Sequence, residues 1–219
     1  MFNWKKLGRV FDPTKYCKTR PWLQEFSQAP SAIVHSNFVR IYFSCRPLRD
    51  INGQYVSYSA FVDLDKDNLF DVRNVASNPI LLLGGKGEFD EFGTYPASVI
   101  RINKKYRAYY GGWTRCESVP FDVSIGVAES TDGINFHKIG RGPVLTSSLL
   151  EPFVISSPKI RNFHGTWQLF YIAGTKWKIV NNRPEPVYKI RLALSTDGLT
   201  WSKHNKDLIP SKVELDEAQ

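Results

Sequence analysis

The chain is poor in the residues that anchor metals or disulfide frameworks. It has only three cysteines, Cys17, Cys45 and Cys116, far apart and with no Cys-x-x-Cys pair. The four histidines, His35, His137, His164 and His204, show no ligand spacing. This pattern argues against a disulfide scaffold and a structural zinc, and it fits a reducing compartment. Neither a metal nor a cofactor is expected. Long apolar runs are missing too. No 18-residue apolar stretch exists, and the opening MFNWKKLGRVF lacks the apolar region of a signal peptide, so the expectation is a cytoplasmic protein without a membrane span. Long basic runs are also absent. The net charge is +8, but the Lys and Arg are scattered, and the longest runs are Lys5-Lys6 and Lys104-Lys105. Nucleic acid is therefore not an expected partner, while an anionic small ligand stays open. Helical periodicity is missing as well. The periodic segments are β-branched and aromatic, which predicts strands.

What is present is a repeat. Phe89 to Trp113 reads as a hairpin, with acidic Asp90 and Glu91, a turn at Gly93, then Tyr95-Pro96, a small apolar strand and an aromatic strand ending at Trp113. Proline lacks an N–H and fits the first residue of a strand, so Pro96 is expected to open this one. The same order recurs around Pro30 and Pro158, at spacings of 66 and 62 residues. Each unit continues to a second landmark. Ile125 to Phe136, with Ser-Thr-Asp-Gly at 130–133, matches Ile190 to Trp201, while 62–70 is a degenerate copy. Asp-Gly pairs mark hairpin turns that need positive φ.

A period of this length, with about four short strands per unit, predicts an all-β fold: a β-propeller of four-stranded blades, about three of them in this chain. A sandwich built by duplication is the alternative, but the units match along their whole length. Residues 1–26 lie outside the repeat, and Trp4, Phe11, Tyr16, Trp22 and Phe26 are expected to pack that segment on the propeller. Residues 27–219 hold blades one to three. Asp216 and Glu217 sit where the acidic start of a fourth unit would fall, so a truncated member of a longer family is expected. The segment from Thr175 to Pro186 is read as a loop matching Thr114 to Asp122.

The X-Pro starts, the Tyr-x-x-Tyr-Tyr strand and the Ser-Thr-Asp-Gly-x-x-aromatic hairpins resemble those of the five-bladed propeller glycosidases, glycoside hydrolase families 32, 43, 62, 68 and 130. The resemblance covers 27–217 and implies a carbohydrate-active protein. It also implies catalytic acids at or near the blade-start prolines, where this chain has Ala29, Tyr95 and Ser157 instead. Glycoside cleavage needs a proton donor and a base or nucleophile on opposite faces of the bond, and those three residues do not supply the pair. Carboxylates lie nearby in sequence at Asp90 and Glu151, and these become the candidate catalytic residues.

Sugars are recognised by aromatic platforms together with groups that bond hydroxyls. Trp113 and Trp177, read as holding the same place in successive units, Arg46 in the first unit, and Tyr95 and Ser157 are the candidate substrate-binding residues. Plainer roles stand beside these: padding between blades for the tryptophans, a local ion pair for Arg46, a turn cap for Asp90 and a solvated loop position for Glu151. Two functions remain open. One is a glycosidase, phosphorylase or glycosyl transferase with a non-standard catalytic set, for which the charge and Arg46 favour an anionic sugar. The other is a non-catalytic sugar-binding propeller or a degenerate scaffold. The sequence leaves the oligomeric state open. A pair of carboxylates facing each other across one funnel would favour the enzyme.

Overall fold

A computed structural model describes residues 3–210. Asp216 and Glu217 lie outside the described residues. The chain forms three four-stranded antiparallel sheets in sequence order. Blade 1 comprises β1 (Glu25–Val34), β2 (Phe38–Arg46), β3 (Tyr58–Asp65) and β4 (Val72–Val75). Blade 2 comprises β5 (Gly93–Ile102), β6 (Lys105–Thr114), β7 (Asp122–Ser130) and β8 (His137–Lys138). Blade 3 comprises β9 (Phe153–Phe163), β10 (Thr166–Val180), β11 (Arg183–Ser195) and β12 (Ser202–Lys203). Among the described residues the only helical element is a 3-10 turn, Pro13–Tyr16, capped by Asp12. No helix among them is long and apolar enough to cross a membrane.

The first strands of the blades lie side by side and bond to one another. The Val99 N–H donates to Ser31 Oγ at 2.9 Å, and the Ile160 N–H donates to Ser98 Oγ at 3.1 Å. Lys159 Nζ reaches from blade 3 to the carbonyls of Ala97 at 2.6 Å and Pro30 at 3.3 Å, tying all three blades at their inner strands.

The prolines do not open these strands, contrary to the sequence expectation. Pro30, Pro96 and Pro158 sit inside β1, β5 and β9, and the pairing register slips around each of them. Ala29 and Ser157, just before two of the prolines, have φ of 51° and 50°. A bulge leaves one residue out of the ladder, and that is the other place in a sheet where a missing N–H costs no hydrogen bond.

Two apolar seams join the blades. Tyr42, Val62, Val99, Tyr106, Ala108 and Phe136 pack between blades 1 and 2. Tyr109, Ile125, Val127, Ile155, Leu169 and Tyr171 pack between blades 2 and 3. The middle strands are covered on both faces, so they read as near-continuous apolar runs rather than alternating ones. Each seam also carries a polar clasp. Tyr42 Oη donates to the Gly133 carbonyl at 2.8 Å, and Tyr109 Oη donates to the Gly198 carbonyl at 2.8 Å. The Ser-Thr-Asp-Gly hairpins supply those carbonyls. In each, the serine hydroxyl bonds the aspartate (2.7 and 2.9 Å), whose Oδ1 accepts the two following backbone N–H groups. The glycines have φ of 71° and 75°, a region that side chains disfavour.

The N-terminal segment covers the free side of blade 1. Leu23 is fully buried, and Val10, Phe11, Tyr16 and Trp22 pack against the first seam's cluster. Phe11 lies 5.3 Å from the Phe43 ring, and Arg20 Nε donates to the Ala76 carbonyl at 2.8 Å.

The segment from Thr175 to Pro186 is not a loop. β10 and β11 run on through it as a paired arm, which turns at Asn181 and Asn182 with φ of 49° and 61°. Two adjacent residues at positive φ are what a two-residue hairpin turn needs, and asparagine tolerates that region better than most residues.

Candidate functional site

At the end of the sheets where the inner strands begin, the chain encloses a cavity of about 830 Å³. Its walls come from the starts of β1, β5 and β9 (Gln28, Tyr95, Ser156) and from the ends of β2 and β6 (Arg46, Trp113). Connecting loops add Tyr55, Ser57, Arg115 and Phe121, and the base of the arm adds Tyr188.

Of the residues singled out in the sequence, Arg46, Tyr95 and Trp113 meet here. Arg46 and Trp113 hold equivalent places. Each lies three residues past a buried aromatic, Phe43 or Tyr110, that starts at a 20-residue spacing from the acidic or apolar residue before its blade. The Trp113 ring is fixed by a bond from Nε1 to Ser57 Oγ at 2.6 Å. Tyr95 lies flat on the backbone of β6, and a β-carbon at Gly111 would collide with its ring. Its hydroxyl bonds to Ser156 Oγ, which sits 3.5 Å from Ser157 Oγ. Burial holds the Tyr95 phenol above its usual value, so it stays protonated and serves as a hydrogen-bonding group. Ser157 itself is exposed and outside the lining, because the bulge at 157–158 turns the neighbouring Ser156 inward.

Trp177 is not brought to the cavity. It lies six residues past Tyr171, whereas Trp113 lies three past Tyr110, so the expected equivalence fails by three residues, and the position matching Trp113 is Gly174. Trp177 packs instead on Phe121 and Phe153, with centroids at 5.8 and 5.7 Å.

Asp90 and Glu151 are also elsewhere. Both are fully buried, against the expectation of a shared funnel mouth, and neither lines the cavity. They hold matching positions in the two seams. Asp90 Oδ2 accepts from Tyr110 Oη at 2.9 Å and pairs with Lys138 Nζ at 2.7 Å. Glu151 Oε1 accepts from Tyr171 Oη at 2.8 Å and from Arg191 Nη1 at 3.1 Å, while Oε2 meets Lys203 Nζ at 2.5 Å. Burial first, and then the adjacent carboxylate, push both phenols well up, which keeps them protonated as donors. The equivalent place in blade 1 is apolar: Leu23 and Phe43, at the same spacing and equally buried.

Several lining residues escaped the sequence reading: Gln28, Tyr55, Ser57, Arg115, Phe121, Ser156 and Tyr188. Most come from connections that carry no periodic signal. Arg115 had the nearest thing to a clue, since it follows Trp113 by two positions. Its Nη2 donates to the Tyr55 carbonyl at 2.8 Å, and its guanidinium lies 4.1 Å over the Phe92 ring. The one carboxylate in the lining is Glu117, on an exposed loop. No group of three or more potential metal ligands occurs among the described residues.

No family model matches the chain. The uncharacterized proteins MT1551 and Rv1502 of Mycobacterium tuberculosis are each 30% identical to it over 204 residues. That match covers 93% of this chain, and the chain spans 65% of the length of those relatives. Among solved structures, one described as a glycoside hydrolase superposes with a TM-score of 0.70 at 16% identity, covering 96% of this chain and 64% of that one. A thermostable family-43 glycoside hydrolase superposes at 0.60 with 19% identity, covering 91% of this chain and 60% of that one. Zg3597, a family 117 glycoside hydrolase of the marine bacterium Zobellia galactanivorans, superposes at 0.59 with 16% identity, covering 89% and 50%. In fold, then, the chain is a partial β-propeller of about three blades that resembles the propeller glycoside hydrolases.

Proposed function

We propose that the cavity is a carbohydrate-binding site and that this chain binds its sugar without ordinary two-carboxylate hydrolysis. The observation that carries this reading is the make-up of the walls. Aromatic rings of Tyr55, Tyr95, Trp113 and Tyr188 alternate with hydroxyl, amide and guanidinium groups, and Glu117 is the sole carboxylate. Sugar rings offer apolar C–H faces to aromatic side chains and a rim of hydroxyls to polar ones, so this mixture suits them. The largely apolar wall with a few placed polar groups is also the usual make-up of a small-molecule site. The likeness of fold to glycoside hydrolases supports the same ligand class, although fold alone does not carry function.

Hydrolysis would need a second carboxylate within roughly 5–10 Å, on the opposite side of the scissile bond. Asp90 and Glu151 do not fill that need in our reading. Each is committed to a lysine and a tyrosine in a seam, and we assign them to holding the blades.

The test is titration with a panel of monosaccharides and short oligosaccharides, read by tryptophan fluorescence and calorimetry. Sugars are expected to bind the wild-type protein. Trp113→Ala is expected to weaken binding by about tenfold or more, the loss of roughly 1.5–3 kcal/mol of buried apolar contact. Asp90→Asn, if folded, is expected to bind as wild type. Failure of every sugar to bind would overturn the reading. Turnover of a glycoside that is lost in Asp90→Asn or Glu151→Gln at unchanged melting temperature would replace it with the enzyme.

A further inference from the structure

Arg46 differs from the other cation in the cavity wall. Arg115 has an acceptor in the Tyr55 carbonyl, with Asp50 3.9 Å away. Among the described residues Arg46 has no ion pair and no side-chain acceptor, and its Nε is closed off from solvent with nothing to bond. Two rings set at right angles to each other border the guanidinium, Phe26 at 5.0 Å and Tyr55 at 4.8 Å from its central carbon. Glu25, opposite Arg46 in the strand register, accepts from Tyr55 Oη at 2.8 Å and makes no ion pair with Arg46; Arg49 lies 4.4 Å from the centre of the Tyr55 ring, and Glu117 lies on the exposed loop. Burial shifts Arg46 below its usual value, only partly offset by Tyr55 and Glu25.

A guanidinium that is partly desolvated and has no hydrogen-bonded or ion-paired acceptor is costly to hold. The planar fork of donors suits a planar or tetrahedral oxyanion, and packing against the two rings limits the freedom lost when one docks.

We infer that Arg46 receives an oxyanion substituent of the sugar, so that the ligand of this cavity is an acidic glycoside. The inference rests on the carbohydrate reading above and narrows it. The oxyanion can be the carboxylate of a uronic acid or a phosphate ester, since both present paired oxygens to a guanidinium.

The experiment is calorimetric titration with matched probes in the glucose and galactose series: the neutral methyl glycoside, the methyl uronide and the 6-phosphate, with inorganic phosphate alone as control. At least one acidic probe is expected to bind about tenfold or more tighter than its neutral parent, the size of one charge-assisted hydrogen bond. Whether the uronide or the phosphate gains identifies the oxyanion. Raising salt is expected to shrink the gain. Arg46→Gln is expected to bring the ratio of acidic to neutral affinity to about one, whatever its effect on the neutral affinity itself, and Arg46→Lys to keep part of the ratio.

Neutral probes that bind as tightly as acidic ones, or an Arg46→Gln protein that keeps the ratio, would overturn the inference and leave the carbohydrate reading standing. Inorganic phosphate binding without any sugar binding would overturn both. Because Arg46 packs against two rings, melting is measured for each variant. Should Arg46→Gln not fold, a wild-type preference that ignores salt, or an Arg46→Lys protein with the full wild-type ratio, would overturn the inference.

Discussion

At the scale of single residues, Asp90 and Glu151 show how position in a sequence repeat differs from position in a site. Their recurrence before two of the three blades suggested a catalytic set. The recurrence is real, but what recurs is a buried contact, an acid held by a tyrosine 20 residues later and a lysine from the outermost strand. Blade 1 fills the same place with Leu23 and Phe43, so the fold accepts either an ionic or an apolar solution there. Removing one partner of a buried pair costs roughly 3–5 kcal/mol, whereas replacing the whole group by well-packed apolar residues is often neutral. Asp90→Leu is therefore expected to destabilise by about that amount. Adding Tyr110→Phe and Lys138→Met, which turns the site toward the blade 1 solution, is expected to recover most of the loss. Urea denaturation measures both. An Asp90→Leu protein as stable as the wild type would show that the acid is not structurally committed.

At the scale of elements, the hairpins were the most readable part of the chain. Ser-Thr-Asp-Gly is a local device, since every bond that shapes the turn lies within five residues of its serine. In Asp197 the backbone N–H groups of Thr200 and Leu199, and then the Ser195 hydroxyl, hold the carboxyl below its ordinary 3.8. In Asp132 burial works upward, but bonds from Ser130, Asn135 and Ile134 outweigh it. A folded-state value below the unfolded one means stability that is complete above pH 3.8 and is lost as pH falls further. The melting temperature of the wild-type protein is expected to drop between about pH 4 and pH 2, and the drop is expected to be smaller in the Asp132→Asn/Asp197→Asn double variant, where two of the titrating groups are gone. Identical profiles would remove the hairpins as a source of acid sensitivity. The prolines and the arm were harder to read because each admits two local solutions. A proline suits a strand start or a bulge, and an Asn-Asn pair suits a loop or a tight hairpin turn. Only the pairing partner decides.

At the scale of the whole molecule, the blades are joined by two seams of similar design, each with one tyrosine clasp onto the next blade's hairpin. Tyr42→Phe and Tyr109→Phe each leave a buried carbonyl with one bond fewer, and each is expected to cost about 1–3 kcal/mol in chemical denaturation. Because they lie in different seams and share no partner, the double variant is expected to show the sum within about 0.5 kcal/mol. A shortfall larger than that would show the seams are coupled, with Lys159, which touches all three inner strands, as the connecting residue.

The sequence by itself determined the all-β class, the three-unit repeat, the hairpin turns and a share of the cavity wall in Arg46, Tyr95 and Trp113. These follow from local chemistry, such as strand propensity and the turn bonds of Ser and Asp, and from equivalent strand ends being placed on one rim by radial repetition. Only the tertiary structure decided the rest. Whether Asp90 and Glu151 face a cleft or a seam depends on Lys138 and Lys203, dozens of residues away. Whether Ser156 or Ser157 points inward depends on a bulge in the strand pairing. Arg46 Nε is left without an acceptor because Phe26 and Tyr55, brought together from a strand and a loop, face the guanidinium with their rings. Burial and charge balance are properties of what surrounds a residue, and in a sheet protein most of those surroundings are distant in the chain.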